Sequence, residues 1–493
     1  QSPYPGATFV NEREPSLDRP LDEFQRDLVQ CVELIIERYR TMHDANAHPG
    51  VDEAVVKSWF DEALPDAGMP VSELLADVDK TVIAHPTMNI GARMFAYVMS
   101  GGTQVSVLAE LLASALDQNV AKWHLAPSMT EIERRVIAWT AEFLGFNSDP
   151  GGALVSGGSA ANLTGLTVAR NLFAERAGVR EQGLFGMAPL VTYASTQTHA
   201  SVEKSVELLG LGSANLRKVP THDDFTIDVA ALRQRITADR DGGLTPFCIV
   251  ANAGTVNTGA IDPMDQLADV AQEFGLWLHV DAAYGGFAAA LESKRMCYAG
   301  LERADSIALD YHKWLYQPFE VGCTLVRNWQ ALERTFNKSA EYLDYGAHEA
   351  RFDFSKHHFA LSRNAKAFKV WMTFKTYGAQ QLRAMIAKDI DNAAYLADCV
   401  EQAEDFELVE HGPLAIICFR YRGEIDSIHV DIADIEHERA QLNTLNARLL
   451  DALELDGRIF ITGTLLRGKH VIRACIINHR TGRADVDFLL ATI

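Results

Sequence analysis

The sequence predicts an α/β fold: a mostly parallel central sheet flanked by helices, with an N-terminal helical segment and a small α+β C-terminal domain. Two observations carry that prediction. Between Ala153 and Arg327 short β-rich runs alternate with helical stretches, and several of the runs are apolar throughout. Continuous apolar runs mark strands buried on both faces, as in a parallel sheet, whereas half-exposed strands alternate. After about residue 404 the pattern changes to three strand-like runs, FELVEHG, LAIICFRY and KHVIRACIIN, with the helical NTLNARLLDALELD among them. The expected organisation is a helical segment over 1–104, a large α/β domain over 105–395 and a small α+β domain over 396–493. The chain has no internal repeat and no low-complexity tract.

The elements follow in order. Residues 1–20 are polar and proline-rich and read as an extended arm. From Ser16 to Met42, Phe24, Leu28, Val32, Ile35, Ile36 and Tyr39 recur three and four apart, which predicts an amphipathic helix. One or two further helices are expected between Val51 and Val78. VSVLAELLASALDQN (105–119) reads as a buried helix. Ser128, Met129, Thr130 and Glu131 read as a capping box that opens a helix with Ile132, Val136, Trp139 and Phe143 on one face and Gly145 at its end. LVSGGSAANLTGLTVAR is a strand, a small-residue turn and a helix. The strand candidates that follow are 189–195, 246–254, 276–281, 306–310 and 322–327, and a helical stretch spans 363–404.

Composition narrows the function. With 45 Lys and Arg against 66 Asp and Glu, the net charge is −21, which opposes nucleic acid or an anionic membrane as partner. No run approaches the length of a membrane-spanning helix. The seven cysteines form no CxxC and no metal-ligand spacing, so no metal site is expected, and Cys248, Cys323 and Cys418 fall in apolar runs that suit a core. The first residues carry no apolar signal core. Together these give the expectation of a cytoplasmic protein.

The chemistry sits at strand ends. DSIALDYHKWLYQP puts Lys313 just beyond one apolar run, and 32 residues earlier LWLHVDAAYGG puts Asp281 at the end of another. A buried lysine that forms a Schiff base, with a buried carboxylate that keeps a pyridine nitrogen protonated, is what a protein supplies to use pyridoxal 5′-phosphate (PLP). The turn Gly157-Gly158-Ser159-Ala160 before a helix offers backbone N–H groups and a favourable dipole to a phosphate. His199 follows one strand candidate, where a flat imidazole can stack on a pyridine ring. Thr255 follows the next and offers a hydroxyl. All these positions lie just past the C-terminal ends of strands, the edge at which open α/β sheets bind ligands.

In order along the chain, HPTM (85–88), LAELLASALDQN, APSMTEIE, SGGSAAN, THASVEKS, AGTVNTGAIDP, HVDAAYGG, DYHKW and LSRNAKAFKVW resemble the PLP-dependent group II amino acid decarboxylases over about residues 85 to 480. The resemblance implies a type I aminotransferase-like fold, PLP as cofactor and a homodimer with sites at the interface. It implies Lys313 as the Schiff-base lysine, Asp281 as partner of the ring nitrogen, His199 and Ala283 on the two ring faces, and Gly158, Ser159 and His312 around the phosphate. Thr255 would sit near the ring and Asp281. Asp310 stands where some members have Asn, and a carboxylate there would repel a phosphate unless turned away. Arg363 matches a segment that reaches the partner subunit's site in relatives, although Asn364 breaks the usual basic pair.

The resemblance also bears on reaction and substrate. NKSAEYLDYGAHE matches a mobile loop, bounded here by Gly346, whose tyrosine, Tyr342 in this chain, is implicated in protonating the decarboxylated carbon. Relatives with Phe there tend toward oxidative deamination to aldehydes. MFAYVMSGG (94–102) places Phe95 and Tyr97 where the family builds its substrate pocket, in a Phe-Ala-Tyr pattern like that of aromatic amino acid decarboxylases. An apolar wall suits an aromatic side chain and penalises an unpaired substrate carboxylate. The expected function is decarboxylation of an L-amino acid, most simply an aromatic one. The alternatives are 2,4-diaminobutyrate, glutamate or aspartate as substrate, or a PLP-dependent aldehyde synthase or other lyase.

Overall fold

A computed structural model describes residues 17–147, 149–338, 351–423 and 432–493, without the side chains of 432–435. The expected arm is thus described only from Leu17 onward, and Tyr342, Tyr345 and Gly346 lie outside the described residues. The chain divides into two compact units, one holding the residues up to Ala45 with Pro49–Thr87, the other Asn46–His48 with Met88–Ile493. The first is helical: α1 (Leu21–Thr41), α2 (Glu53–Trp59) and α3 (Val71–Val78). Helix α1 carries Asp22 and Glu23 in its first turn and Arg38 and Arg40 in its last, each sign placed where it complements the helix dipole. None of its apolar residues is buried.

The second unit opens with α4 (Gln104–Leu116) and α5 (Pro127–Leu144). Both depart from expectation. Helix α4 is capped by Thr103 and buries only Ser106 and Ala109, leaving Leu108, Leu111, Leu112 and Leu116 exposed. It is therefore not a buried helix of this chain, because its leucines lie on the face turned away from the core. Helix α5 does not open with the capping box. It begins at Pro127, whose fixed φ and missing N–H suit the first helical position, so Ser128 already lies inside the first turn. Glu131 instead accepts from the Trp123 indole at 3.0 Å and from Arg134 at 3.1 Å. The far end is as expected: Gly145 takes φ 71° and closes the helix.

Next come β1 (Gly151–Val155), α6 (Gly158–Phe173), the short α7 (Val179–Gln182), β2 (Leu190–Ser195), α8 (Ala200–Leu208), β3 (Leu216–Val219), α9 (Val229–Asp241), β4 (Thr245–Asn252), α10 (Met264–Phe274), β5 (Trp277–Asp281), β6 (Ser306–Asp310), α11 (Tyr311–Trp314), β7 (Gly322–Val326) and α12 (Trp329–Phe336). The strands form one seven-stranded sheet in the order β1-β7-β6-β5-β4-β2-β3. Strand β7 runs antiparallel to both neighbours, and the other pairings are parallel. Every residue of β1, β2, β6 and β7 is buried, as continuous apolar runs require. The register aligns Asn252 with Asp281, Asp281 with Ala308, and Asp310 with Gly322, so the C-terminal ends of β4, β5 and β6 share one edge with the turn after β1.

Helix α6 lies directly on this sheet. A Cβ at Gly165 would come within 2.5 Å of the His279 ring, so only glycine permits that approach. The long α13 (Lys366–Gln402) is broken at Gly378, whose φ of 72° no helix contains. Strands β8 (Phe406–His411), β9 (Ile416–Tyr421), β10 (Thr462–Leu466) and β11 (Lys469–Cys475) form a four-stranded antiparallel sheet with α14 (Ile432–Asp456) and α15 (Arg483–Thr492). This is the expected small α+β portion. Cys248, Cys323 and Cys418 are buried, and all seven cysteines are unpaired. Among the described residues no helix is long and apolar enough to cross a membrane.

Candidate active site

The parallel register brings five strand ends to one cavity of about 320 Å³. Gly158 and Ser159 arrive after β1, His199 after β2, Thr255 after β4, Asp281 and Ala283 at the end of β5, and His312 and Lys313 just past β6. Eight of the residues singled out from the sequence therefore meet in space. Phe95 and Tyr97 do not join them: Phe95 is fully buried in the core, while Tyr97 is largely exposed at φ 54°, edge-on to Phe460.

Lys313 lies in the one-turn helix α11, part-exposed to the cavity, with its Nζ 3.1 Å from Asp310 Oδ2. Asp310 is buried, and burial pushes its carboxyl up to about 6 despite the nearby Lys313 cation. Its other oxygen, Oδ1, has no hydrogen-bond partner. The carboxylate is turned toward the lysine. The surrounding turn is tight, since a Cβ on Gly158 would stand 2.8 Å from Asp310 and 2.9 Å from the Ala283 methyl. His312 packs behind the lysine. Its Nδ1 meets the Val321 backbone, and burial reinforced by Lys313 depresses it to about 4, so it is neutral.

Asp281 is buried with both oxygens engaged: Oδ2 accepts from Asn162 at 2.9 Å and Oδ1 from the Ala283 N–H at 3.2 Å. His199 is open to the cavity and caps α8, its Nδ1 accepting from the Ser201 N–H at 3.2 Å. Desolvation holds it below the ordinary histidine range, against the opposing pull of Asp281. The Thr255 hydroxyl is turned into its own loop, 2.9 Å from the Thr258 hydroxyl and accepting from the Ala260 N–H. It lines the cavity with Asp281 without supporting it.

Arg363 is held within its own chain by an ion pair. It is buried in this chain, paired with Glu133 and donating to the Leu154 carbonyl at 3.1 Å. A buried Glu133 on α5 captures the guanidinium, and the motif alone does not show that partner. The sequence reading also passed over Asn162 and Ser201. Both signals were available: Asn162 lies one helical turn after Gly158, on the same face, and Ser201 lies two residues after His199.

The chain's relatives bear on this geometry. The family described as "Pyridoxal-dependent decarboxylase conserved domain" matches residues 54–422. The chain belongs to that family. It is 34% identical over 472 residues to an aromatic-L-amino-acid decarboxylase of Bacillus atrophaeus, with 94% of each chain covered. The crystal structure of Oryza sativa TDC with PLP and tryptamine superimposes with a TM-score of 0.88 at 27% identity, covering 97% of this chain and 98% of the other. Rhodiola rosea 4-hydroxyphenylacetaldehyde synthase matches at a TM-score of 0.85 and 26% identity, covering 96% and 97%. The protein is a PLP-dependent carboxy-lyase.

The residues present fit that cofactor. An amine, a carboxylate, a flat ring and the N-terminus of the 16-residue α6 converge on one cavity, and the turn there has no room for a Cβ at Gly158.

Proposed function

We propose that this decarboxylase acts on an aromatic L-amino acid and releases the corresponding amine and CO2. The observation that carries the substrate class is the charge of the cavity wall. Among the described residues lining it, Lys313 is the only lysine or arginine, and His199 and His312 are held below the ordinary histidine range. A substrate with a second carboxylate would find no cation there to offset its desolvation. The names of the Bacillus atrophaeus and Oryza sativa relatives' reactants support the same reading.

Lys313 would bind the cofactor covalently, Gly158 and Ser159 would hold its phosphate, and His199 and Ala283 would face its ring. PLP, when bound, supplies an electron sink for the pair left by the departing carboxylate. Asp281 would keep the ring nitrogen protonated, and the His199 ring would orient the reacting group. We assign the final proton delivery to Tyr342, which favours amine over aldehyde as product. The exposed leucines of α4 support a homodimer, since burying each is worth roughly 1.5–3 kcal/mol. We extend the N-terminal helices across that dimer. The unpaired cysteines support a cytoplasmic setting.

The test is CO2 release from a panel of L-amino acids with product identification. Turnover of tryptophan, tyrosine or DOPA to amines is expected. Preference for glutamate, aspartate or 2,4-diaminobutyrate, or aldehyde as the main product, would overturn the reading.

A further inference from the structure

We propose that Asn162 is the positioning residue of this site, a single side-chain amide that sets the Asp281 carboxylate and the His199 ring together. The proposal rests on the assignment of Asp281 to the ring nitrogen. The observation behind it is an unbroken, buried hydrogen-bond chain with only one consistent direction.

The chain starts at Trp277, whose indole can only donate, and it donates to Ser306 Oγ at 2.8 Å. Ser306 Oγ lies 2.7 Å from His279 Nδ1. His279 is fully buried, and burial depresses it to about 4, so it is neutral. Its Nε2 is 2.9 Å from Asn162 Oδ1. The orientation of the Asn162 amide, ordinarily free to flip, is decided at its other end, where a carboxylate oxygen of Asp281 accepts. Its nitrogen donates to Asp281 Oδ2 at 2.9 Å and to Ser201 Oγ at 3.0 Å, so its oxygen faces His279, whose one hydrogen sits on Nε2 and whose Nδ1 accepts from Ser306.

The Ser201 arm carries the direction onward. The Ser201 backbone N–H donates to His199 Nδ1 at 3.2 Å, and the Ser201 hydroxyl, 2.8 Å from the same nitrogen, gives it its hydrogen. His199 Nδ1 is therefore an acceptor, and the ring hydrogen sits on Nε2. One amide thus orients the aspartate and, through Ser201, the histidine. Gly165 completes the device from the same helix, because any side chain there would displace His279.

The experiment measures dissociation constants of PLP and of its carbocyclic analogue, in which carbon replaces the ring nitrogen. Wild type is compared with Asn162→Ala and Asn162→Asp. If Asn162 acts through Asp281, wild type prefers PLP, and the preference narrows at least fivefold in Asn162→Ala. It narrows further in Asn162→Asp, which keeps the shape but sets a second carboxylate against Asp281. Affinity for the analogue stays within about twofold of wild type in Asn162→Ala. Equal weakening of both ligands, or no change in either, would overturn the proposal and leave the cofactor assignment standing. Wild type without preference for PLP over the analogue would overturn the Asp281 assignment and the proposal with it. If Asn162→Ala does not fold, the isosteric Asn162→Asp carries the test alone.

Discussion

Asp389 is a carboxylic acid built into the wall behind Lys313, and its protonation should shape the stability of the whole protein. It lies on α13, fully buried, with Oδ2 accepting from the Trp314 indole at 3.0 Å and the Tyr316 hydroxyl at 2.8 Å. Oδ1 has no hydrogen-bond partner. Burial pushes the group up to about 7 from an ordinary 3.8, against the lowering effect of its two donors and of Lys388. The folded state therefore holds this proton more tightly than the unfolded chain does. The associated stability is fully present below about pH 4, falls as pH rises and is gone above about pH 7. The slope approaches about 1.4 kcal/mol per pH unit inside that window. Asp389→Asn removes the titration while keeping an acceptor oxygen for Trp314 and Tyr316. Urea denaturation of both proteins from pH 5 to pH 8 should show the mutant gaining about 2–3 kcal/mol on wild type between pH 5 and pH 7, and nothing more above that. Stability curves that run parallel from pH 5 to pH 8 would refute the reasoning, because they would mean that Asp389 ionises as readily folded as unfolded.

Three further outcomes are expected. Arg363→Met should cost about 3–5 kcal/mol by stranding the buried Glu133, and adding Glu133→Gln should restore most of it; urea midpoints of the single and double mutants check this. Tyr342→Phe should load cofactor normally yet yield aldehyde, ammonia and peroxide in proportion to oxygen supply, which product analysis under air and argon would detect. In analytical ultracentrifugation wild type should sediment as two chains, and the pair Leu108→Glu with Leu112→Glu on the exposed face of α4 should shift it to one.

The α/β core and its cavity were legible because burial on both faces imposes unbroken apolar runs. The strands ending at Ser195, Asp281 and Asp310 appeared within a residue or two of their observed limits for that reason. The strands Leu216–Val219 and Thr462–Leu466 did not: both lie at sheet edges, and their polar residues give no continuous signal. The leucines of α4 looked like core because periodicity reports an apolar face but not what covers it. Site residues that act through their own chemistry, such as Lys313 and Asp281, stood out. Asn162 and Glu133 act through partners 119 and 230 positions away, and such pairings exist only once the chain has folded.

The central claim is that Lys313 carries the cofactor, and the most direct measurement is borohydride reduction of the PLP-loaded protein followed by peptide mass mapping. The purified protein should be yellow, lose its visible band on reduction and show the reduced adduct on Lys313, while Lys313→Ala should lose nearly all turnover. A colourless protein that takes up no PLP, or an adduct mapped to another lysine, would contradict the account.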